Sequence, residues 1–154
     1  MYHPRRSKGD PTDLASSIVG VWRYVSFIDK ETETGKLLKP FGESPSGYIV
    51  YTKGGHIVFS LIGDRVAPNS PNPSDPERIA LFTSSSSCAG RYKVEDDGSV
   101  TVTWDASWNQ WWTGRSQKRQ IEIEGDKMII TSAPTKSVAT GREIVFVTTL
   151  ERVE

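Results

Sequence analysis

From Gly20 to the end of the chain, apolar and polar residues alternate mostly with a period of two. The alternation is clearest over residues 21–27, 117–124 and 143–152. A period of two puts successive side chains on opposite faces of a β-strand, whereas an amphipathic helix repeats about every 3.6 residues. The pattern therefore predicts an all-β fold.

Glycine turns join three pairs of these segments, which is typical of β-hairpins. Segments 46–52 and 56–61 flank Lys53-Gly54-Gly55, segments 91–95 and 99–105 flank Asp96-Asp97-Gly98, and segments 117–124 and 127–132 flank Gly125-Asp126. Segments 21–27 and 143–152 complete a set of about eight strands with no βαβ alternation. The sequence predicts a single antiparallel up-and-down β-barrel.

Two regions depart from the alternation. Residues 1–13 are polar, so we expect a disordered tail before a barrel domain at 14–154, with a helical turn over 14–18 capped by Thr12 or Asp13. Residues 63–87 contain four prolines, and Asp75-Pro76 predicts the start of one short helix. This long connection is expected either to be a lid over the open end or an ordinary surface loop.

Composition narrows the classes of function. The chain has 154 residues, the length of one domain, and 19 basic residues balance 19 acidic ones. That balance offers no attraction to nucleic acid or anionic membranes. Cys88 is the single cysteine, and the sequence contains no zinc-binding cluster and no nucleotide-binding glycine motif. We expect neither a secretory signal nor a membrane span. We expect a soluble, cytoplasmic protein that uses no metal and no cofactor.

The segment 117–124 predicts a charged group inside the barrel. Ile121 and Ile123 share a face, and the same face continues back to Arg119 and Gln117. An isolated charge inside a protein costs several kcal/mol, so an inward arginine requires a partner. A carboxylate, phenolate or enolate oxygen of a ligand is one candidate. The alternatives are a rim position with contact to water and a pairing with a core carboxylate.

Aromatic and titratable residues supply the other candidates. Trp104, Trp108 and Trp111 are expected to line the pocket, while Trp112 is expected in the core. Tyr92 shares the inward face of its hairpin with Trp104, and either Tyr48 or Tyr51 can point inward but not both. His56 is the single histidine outside the tail, and histidine is a residue type that often transfers protons in enzymes, although its place beside a glycine turn favours the surface or the rim.

One family resemblance covers most of the chain. It is carried by residues 20–27 (GVWRYVSF, which contains a G-x-W signature), 40–42 (PFG), 47–52 (GYIVYT), Gly90-Arg91-Tyr92, Asn109, Trp112, Gly114, Gln117, Arg119 and residues 150–153. These motifs span residues 18–153 and resemble the lipocalin-like domain family of short bacterial and fungal proteins. The resemblance implies a ligand-binding barrel whose base is closed by Arg152 stacked on Trp22. Trp104, Trp108 and Trp111 are bulkier than the residues that the family has at these positions. The resemblance therefore implies no particular ligand.

Two functions from different classes follow. The first is a cofactor-independent isomerase, cyclase or dehydratase that acts on an aromatic or polyketide-like molecule, as some related barrels do. In that hypothesis the catalytic residues are Arg119, Tyr24 and His56, and the substrate-binding residues are Trp104, Trp108, Gln117, Tyr48, Tyr92 and Trp111. The second is a non-catalytic carrier or sensor of a small apolar ligand. The protein acts either as a monomer or as a homodimer.

Overall fold

The structure is a computed structural model in which residues 11–65 and 67–154 are described. Ten strands form one antiparallel sheet, together with two short helices and a 3₁₀ turn. The strands are β1 (Gly20–Glu31), β2 (Leu37–Leu38), β3 (Ser46–Tyr51), β4 (His56–Ile62), β5 (Ser85–Val94), β6 (Val100–Ser107), β7 (Ser116–Glu124), β8 (Lys127–Ser132), β9 (Thr135–Lys136) and β10 (Glu143–Arg152). The helices are α1 (Pro11–Ser17) and α2 (Asp75–Thr83), and the 3₁₀ turn is Gln110–Trp112.

The eight long strands close into an up-and-down barrel. Each strand pairs with the next in the order β1-β3-β4-β5-β6-β7-β8-β10. Strand β10 then pairs with β1 and closes the barrel. This last pairing extends from Trp22 opposite Arg152 to Glu31 opposite Ile144, and it includes Asp29 opposite Phe146. The two-residue strands β2 and β9 extend the wall at one end. The predicted fold class is confirmed. No helix within the described ranges has the length and apolar character needed to cross a membrane.

The opposite end, the base, is closed by a tryptophan. Trp22 is fully buried, and its indole Nε1 donates a hydrogen bond of 2.9 Å to the Ile18 carbonyl. The Arg152 guanidinium lies 4.2 Å above the Trp22 ring and donates to the carbonyls of Ser17 and Val19. A guanidinium on an indole face is a favourable cation–π contact. This geometry confirms the predicted closure.

Helix α1 covers this base and begins earlier than expected. Its first residue is Pro11, a favoured residue at a helix start, so residues 11–13 belong to the helix and not to a tail. The remainder of the predicted tail, residues 1–10, lies outside the described residues.

Alternate residues of each strand fill the interior of the barrel. Ile57, Phe59 and Leu61 of β4 are at most 8% exposed, whereas Val58 between them is 51% exposed. Val100, Val102 and Trp104 of β6 are buried in the same way. The inward and outward faces of most strands therefore follow from the period of two alone.

A β-bulge in β1 breaks that alternation. The register with β10 shifts between Tyr24 and Ser26, so that Val25 is the extra residue. A bulge moves the following side chains to the opposite face of the sheet. Trp22 and Tyr24 therefore point inward from even positions, and beyond the bulge Asp29 is buried from an odd position. A strict period of two would have placed Asp29 outside.

The connection between β4 and β5 is shorter than predicted. Helix α2 forms, but its N-cap is Ser74 and not Asp75, and Ser74 and Glu77 make a reciprocal capping box. Strand β5 begins at Ser85, six residues before the predicted start at Arg91. Its first inward residues are Ser86, Cys88 and Gly90, which are too small or polar to give a hydrophobic signal.

Candidate functional site

The barrel encloses a cavity that runs from its middle to the open end. The space available to the centre of a water molecule is about 70 Å³. This is several times the roughly 10–15 Å³ that one ordered water requires, so the cavity has room for a small organic molecule. Most of the wall is apolar, as in Phe27, Phe59, Leu61, Trp104, Trp108 and Phe146. The polar groups on the wall include Tyr24, Asp29, Gln117 and Arg119.

Arg119 is the charged group deep in this cavity. It is 5% exposed, and its Nη2 donates to the Gln117 side-chain oxygen at 3.2 Å. Its Cζ lies 5.4 Å from the ring centroids of both Trp104 and Phe146. Its Nε is buried without a hydrogen-bond partner, and no carboxylate in the described ranges forms an ion pair with it. The inward position predicted for Arg119 is confirmed, and its role stays a prediction.

Two tyrosines surround this guanidinium. Tyr24 is 6% exposed and Tyr51 is 1% exposed, and burial raises the pKa of both phenols above their usual range. The positive charge of Arg119 opposes this rise in the pKa of each. The Tyr51 hydroxyl approaches Arg119 but has no partner in hydrogen-bond geometry. Both phenols stay protonated at neutral pH and are available as neutral hydrogen-bond donors.

A carboxyl group lies near the open end of the same cavity. Asp29 is 2% exposed, and Ser137 Oγ donates to its Oδ2 at 3.1 Å. Burial raises the pKa of Asp29 from 3.8 to about 6, although the Ser137 hydrogen bond opposes the shift. A carboxyl with a pKa near neutrality can both accept and donate a proton. Sequence analysis missed Asp29 because nothing in the sequence marks the bulge at Val25.

Phe146 lies beside both charged groups. It is the register partner of Asp29 across β1 and β10, and its ring lies under the Arg119 guanidinium. Asp29 and Arg119 form no ion pair, and Arg119 is not among the causes of the Asp29 pKa shift. The cavity therefore holds a cation deep inside and a weak acid near the mouth, with neither neutralising the other.

The sequence of this barrel matches a known protein family. A family model described as a lipocalin-like domain matches residues 19–153. The chain belongs to the lipocalin-like domain family. Its membership of this family and the cavity inside the barrel together support small-molecule binding as the general function.

Comparison with individual proteins adds no argument on function. Among solved structures, this member of the family is similar to an uncharacterized protein from Bacteroides eggerthii. The identity is 16%, the match covers 85% of this chain and 98% of that chain, and the TM-score is 0.41. No curated protein matches the sequence.

The structure brings five of the sequence candidates together in the cavity of this lipocalin-like barrel. They are Tyr24, Trp104, Trp108, Gln117 and Arg119. Trp112, expected in the core, is 8% exposed and also contributes to the cavity wall. The placements of Trp104, Gln117 and Arg119 agree with the inward faces deduced from strand alternation.

Three candidates lie outside the cavity because of their strand positions. His56 is exposed at the first position of β4, beside the closed base, so it is not available for proton transfer in the cavity. Tyr48 is 50% exposed because it shares the outer face of the wall with Val58, while Tyr51 takes the inward place. Tyr92 faces inward but near the base, where its hydroxyl donates to the Thr52 carbonyl.

Trp111 is also outside. It is 46% exposed and stacks on the Arg115 guanidinium, 3.9 Å from its ring. The rings of Trp111 and Trp112 pack edge to face in the 3₁₀ turn, with centroids 4.7 Å apart. Trp112 lines both the cavity and a surface groove, whereas Trp111 lines the groove and not the cavity. The expected pocket position of Trp111 is therefore wrong, because the sequence pattern did not predict this turn.

Helix α2 contacts the cavity through one tryptophan. Phe82 packs on Trp108 with ring centroids 5.9 Å apart, and Trp108 Nε1 donates to the Phe82 carbonyl. No residue of α2 is buried, and none lines the cavity. The role of the 63–87 connection as a lid stays a prediction.

Proposed function

We propose that this barrel is a cofactor-independent enzyme, an isomerase, cyclase or dehydratase, that moves a proton within a small aromatic or polyketide-like molecule. One observation carries the proposal: a buried, unneutralised arginine and a buried carboxyl with a pKa of about 6 share one small cavity. Storage of an apolar ligand requires neither group. General acid–base catalysis uses both.

The roles follow from charge and protonation. The Asp29 carboxylate takes a proton from a carbon next to a carbonyl group, and the electron pair left behind forms a carbon–carbon double bond. The carbonyl oxygen becomes an oxyanion, which Arg119 and the Tyr24 hydroxyl stabilise. Asp29 then returns the proton to another carbon of the substrate, which completes an isomerisation. In a dehydration the proton instead leaves with a hydroxyl group as water.

Asp29 thus takes the role that the sequence suggested for His56. Tyr24 acts as a hydrogen-bond donor and not as a base, because burial raises the pKa of its phenol far above neutrality. Trp104 and Trp108 supply flat walls that orient an aromatic substrate, and Gln117 holds the Arg119 guanidinium in place.

Proton transfer can be tested without knowledge of the natural substrate. The probe is 3-phenyl-2-oxopropanoate, which has one ring and one acidic CH₂ group beside a carbonyl. Exchange of that CH₂ with deuterium oxide is followed by proton NMR. The protein is expected to accelerate exchange over buffer, and Asp29→Asn is expected to reduce the enzymatic rate by about 100-fold or more. Asp105→Asn, at an exposed acid paired with Arg91, is the matched control and keeps the full rate.

The competing function is the carrier. If the probe binds inside the barrel while its exchange stays at the buffer rate, the enzymatic proposal is wrong and the carrier is favoured. If Asp29→Asn exchanges as fast as the unmodified protein, Asp29 is not the group that moves the proton.

A further inference from the structure

The deep end of the cavity has an excess of hydrogen-bond donors. The Arg119 guanidinium has five N–H groups, and in the described ranges one acceptor, the Gln117 side-chain oxygen, receives a hydrogen bond from it. Among the described residues Tyr24 makes no side-chain hydrogen bond, and the Tyr51 hydroxyl lies close to Arg119 but meets no partner in good hydrogen-bond geometry. The amide nitrogen of Gln117 adds further donors. A ligand that enters this end is therefore selected for oxygen acceptors.

Charge narrows the choice among acceptors. A buried cation without a counter-ion is unfavourable by several kcal/mol, and a neutral carbonyl oxygen leaves that charge unneutralised. A permanently anionic oxygen group removes the imbalance and makes charge-assisted hydrogen bonds to the guanidinium. Asp29 does not serve as the internal counter-ion, because it forms no ion pair with Arg119 and its hydrogen-bond partner is Ser137.

The shape of the site favours a planar anion. Nη2 is held by Gln117 and Nε is buried, so the end of the guanidinium that carries Nη1 is the part free to meet a ligand. Nη2 has a second N–H besides the one that it donates to Gln117, and one N–H of Nη1 and one of Nη2 point in parallel from this end, a pair that matches the two oxygens of a carboxylate. The rings of Trp104 and Phe146 both lie 5.4 Å from Arg119 Cζ and continue toward the mouth as flat walls.

We propose that the ligand of this barrel is an aromatic carboxylic acid, bound with its carboxylate at Arg119 and its ring between the aromatic walls. This inference rests on the proposed function only in its orientation: the acid group lies deep, so the rest of the molecule extends toward Asp29. Binding of the anion itself requires no catalysis.

The test compares two ligands of nearly the same shape, one with an anionic end group and one with a neutral end group. Cinnamate and cinnamamide have the same ring and conjugated chain, but only cinnamate is an anion at pH 7.5. Dissociation constants are measured by titration calorimetry and by quenching of tryptophan fluorescence, because Trp104, Trp108 and Trp112 line the cavity. Cinnamate is expected to bind at least about tenfold more tightly than the amide.

The variants locate the source of that preference. Arg119→Met removes the charge and keeps a long apolar side chain, so the acid-to-amide ratio is expected to fall to about one. Tyr24→Phe is expected to weaken cinnamate several-fold. Arg23→Met, at an exposed arginine paired with Glu151, is the matched control and leaves both constants unchanged. Thermal unfolding of each variant verifies that it is folded.

The outcomes separate this inference from the proposed function. Equal affinity for acid and amide, or no binding of either, overturns the inference whatever the proton-exchange assay shows. A tenfold preference that survives Arg119→Met also overturns it. Tight, Arg119-dependent binding of cinnamate without proton exchange supports the anion site and removes the enzymatic proposal.

Discussion

Replacement of Arg119 by methionine is expected to make the free protein more stable. Replacement of a core residue usually destabilises a protein. When a buried arginine is paired with a carboxylate, removal of one partner lowers the free energy of unfolding by about 3–5 kcal/mol. Arg119 has no such partner among the described residues. If the counter-ion of Arg119 is a ligand, the protein without ligand is destabilised by an unneutralised buried charge. Replacement of Arg119 by an apolar residue removes that destabilisation.

The magnitude follows from the contacts of Arg119. The variant loses one charged hydrogen bond to Gln117, worth about 1.5–3 kcal/mol. It also loses two cation–π contacts at 5.4 Å, worth about 0.5 kcal/mol each. It no longer has the unneutralised buried charge, which costs several kcal/mol, or the unpaired buried Nε, which costs about 1–3 kcal/mol. The net expectation is a free energy of unfolding raised by about 1–2 kcal/mol.

Urea denaturation measures this difference. Unfolding is followed by circular dichroism for the unmodified protein, Arg119→Met and the exposed control Arg23→Met, whose ion pair with Glu151 is worth at most about 1 kcal/mol. For a chain of this length, 1 kcal/mol also corresponds to roughly 2–4 °C in melting temperature. A loss of about 3 kcal/mol or more in Arg119→Met would show that Arg119 has a structural role, and the reasoning from its unneutralised charge would be refuted.

Three further predictions concern the rest of the barrel. The pKa of Asp29 is about 6 in the folded protein and 3.8 in the unfolded chain, so folding takes up a proton between these values and stability falls as pH rises from 4 to 6. Asp29→Asn is therefore expected to be more stable than the unmodified protein by about 3 kcal/mol at pH 7 and by only about 0.5 kcal/mol at pH 4, and a difference independent of pH would contradict this. His56→Ala is expected to leave cinnamate affinity and probe exchange unchanged in calorimetry and NMR, and a tenfold fall in either would return His56 to the mechanism. Arg152→Ala is expected to lower the free energy of unfolding by about 2 kcal/mol in urea denaturation, because it removes a cation–π contact and two hydrogen bonds at the base, and an unchanged value would contradict the role given to Arg152 in closing the barrel.

The fold was predictable where local signals agree with the global architecture. Glycine turns fixed the hairpins, the period of two fixed most facings, and Trp22 with Arg152 marked the closure. The inward position of Arg119 followed from its spacing to Ile121, because β7 has no bulge between them.

The remainder of the site depends on local irregularities that leave no pattern in the sequence. The bulge at Val25 moves Asp29 inside, and the 3₁₀ turn sends Trp111 outward while its neighbour enters the cavity. The start of β5 was missed because its inward positions begin with Ser86, Cys88 and Gly90. Small and polar residues can line a ligand cavity, but they do not produce the hydrophobic alternation from which strands are recognised.

The crystal structure of the protein with cinnamate tests the central claim most directly, because it shows where the anion lies. The account predicts the ligand inside the barrel, with its carboxylate in hydrogen-bond contact with the Arg119 guanidinium and its chain directed toward Asp29. A carboxylate at the mouth or on the outer surface, with Arg119 facing only water or protein groups, would contradict it.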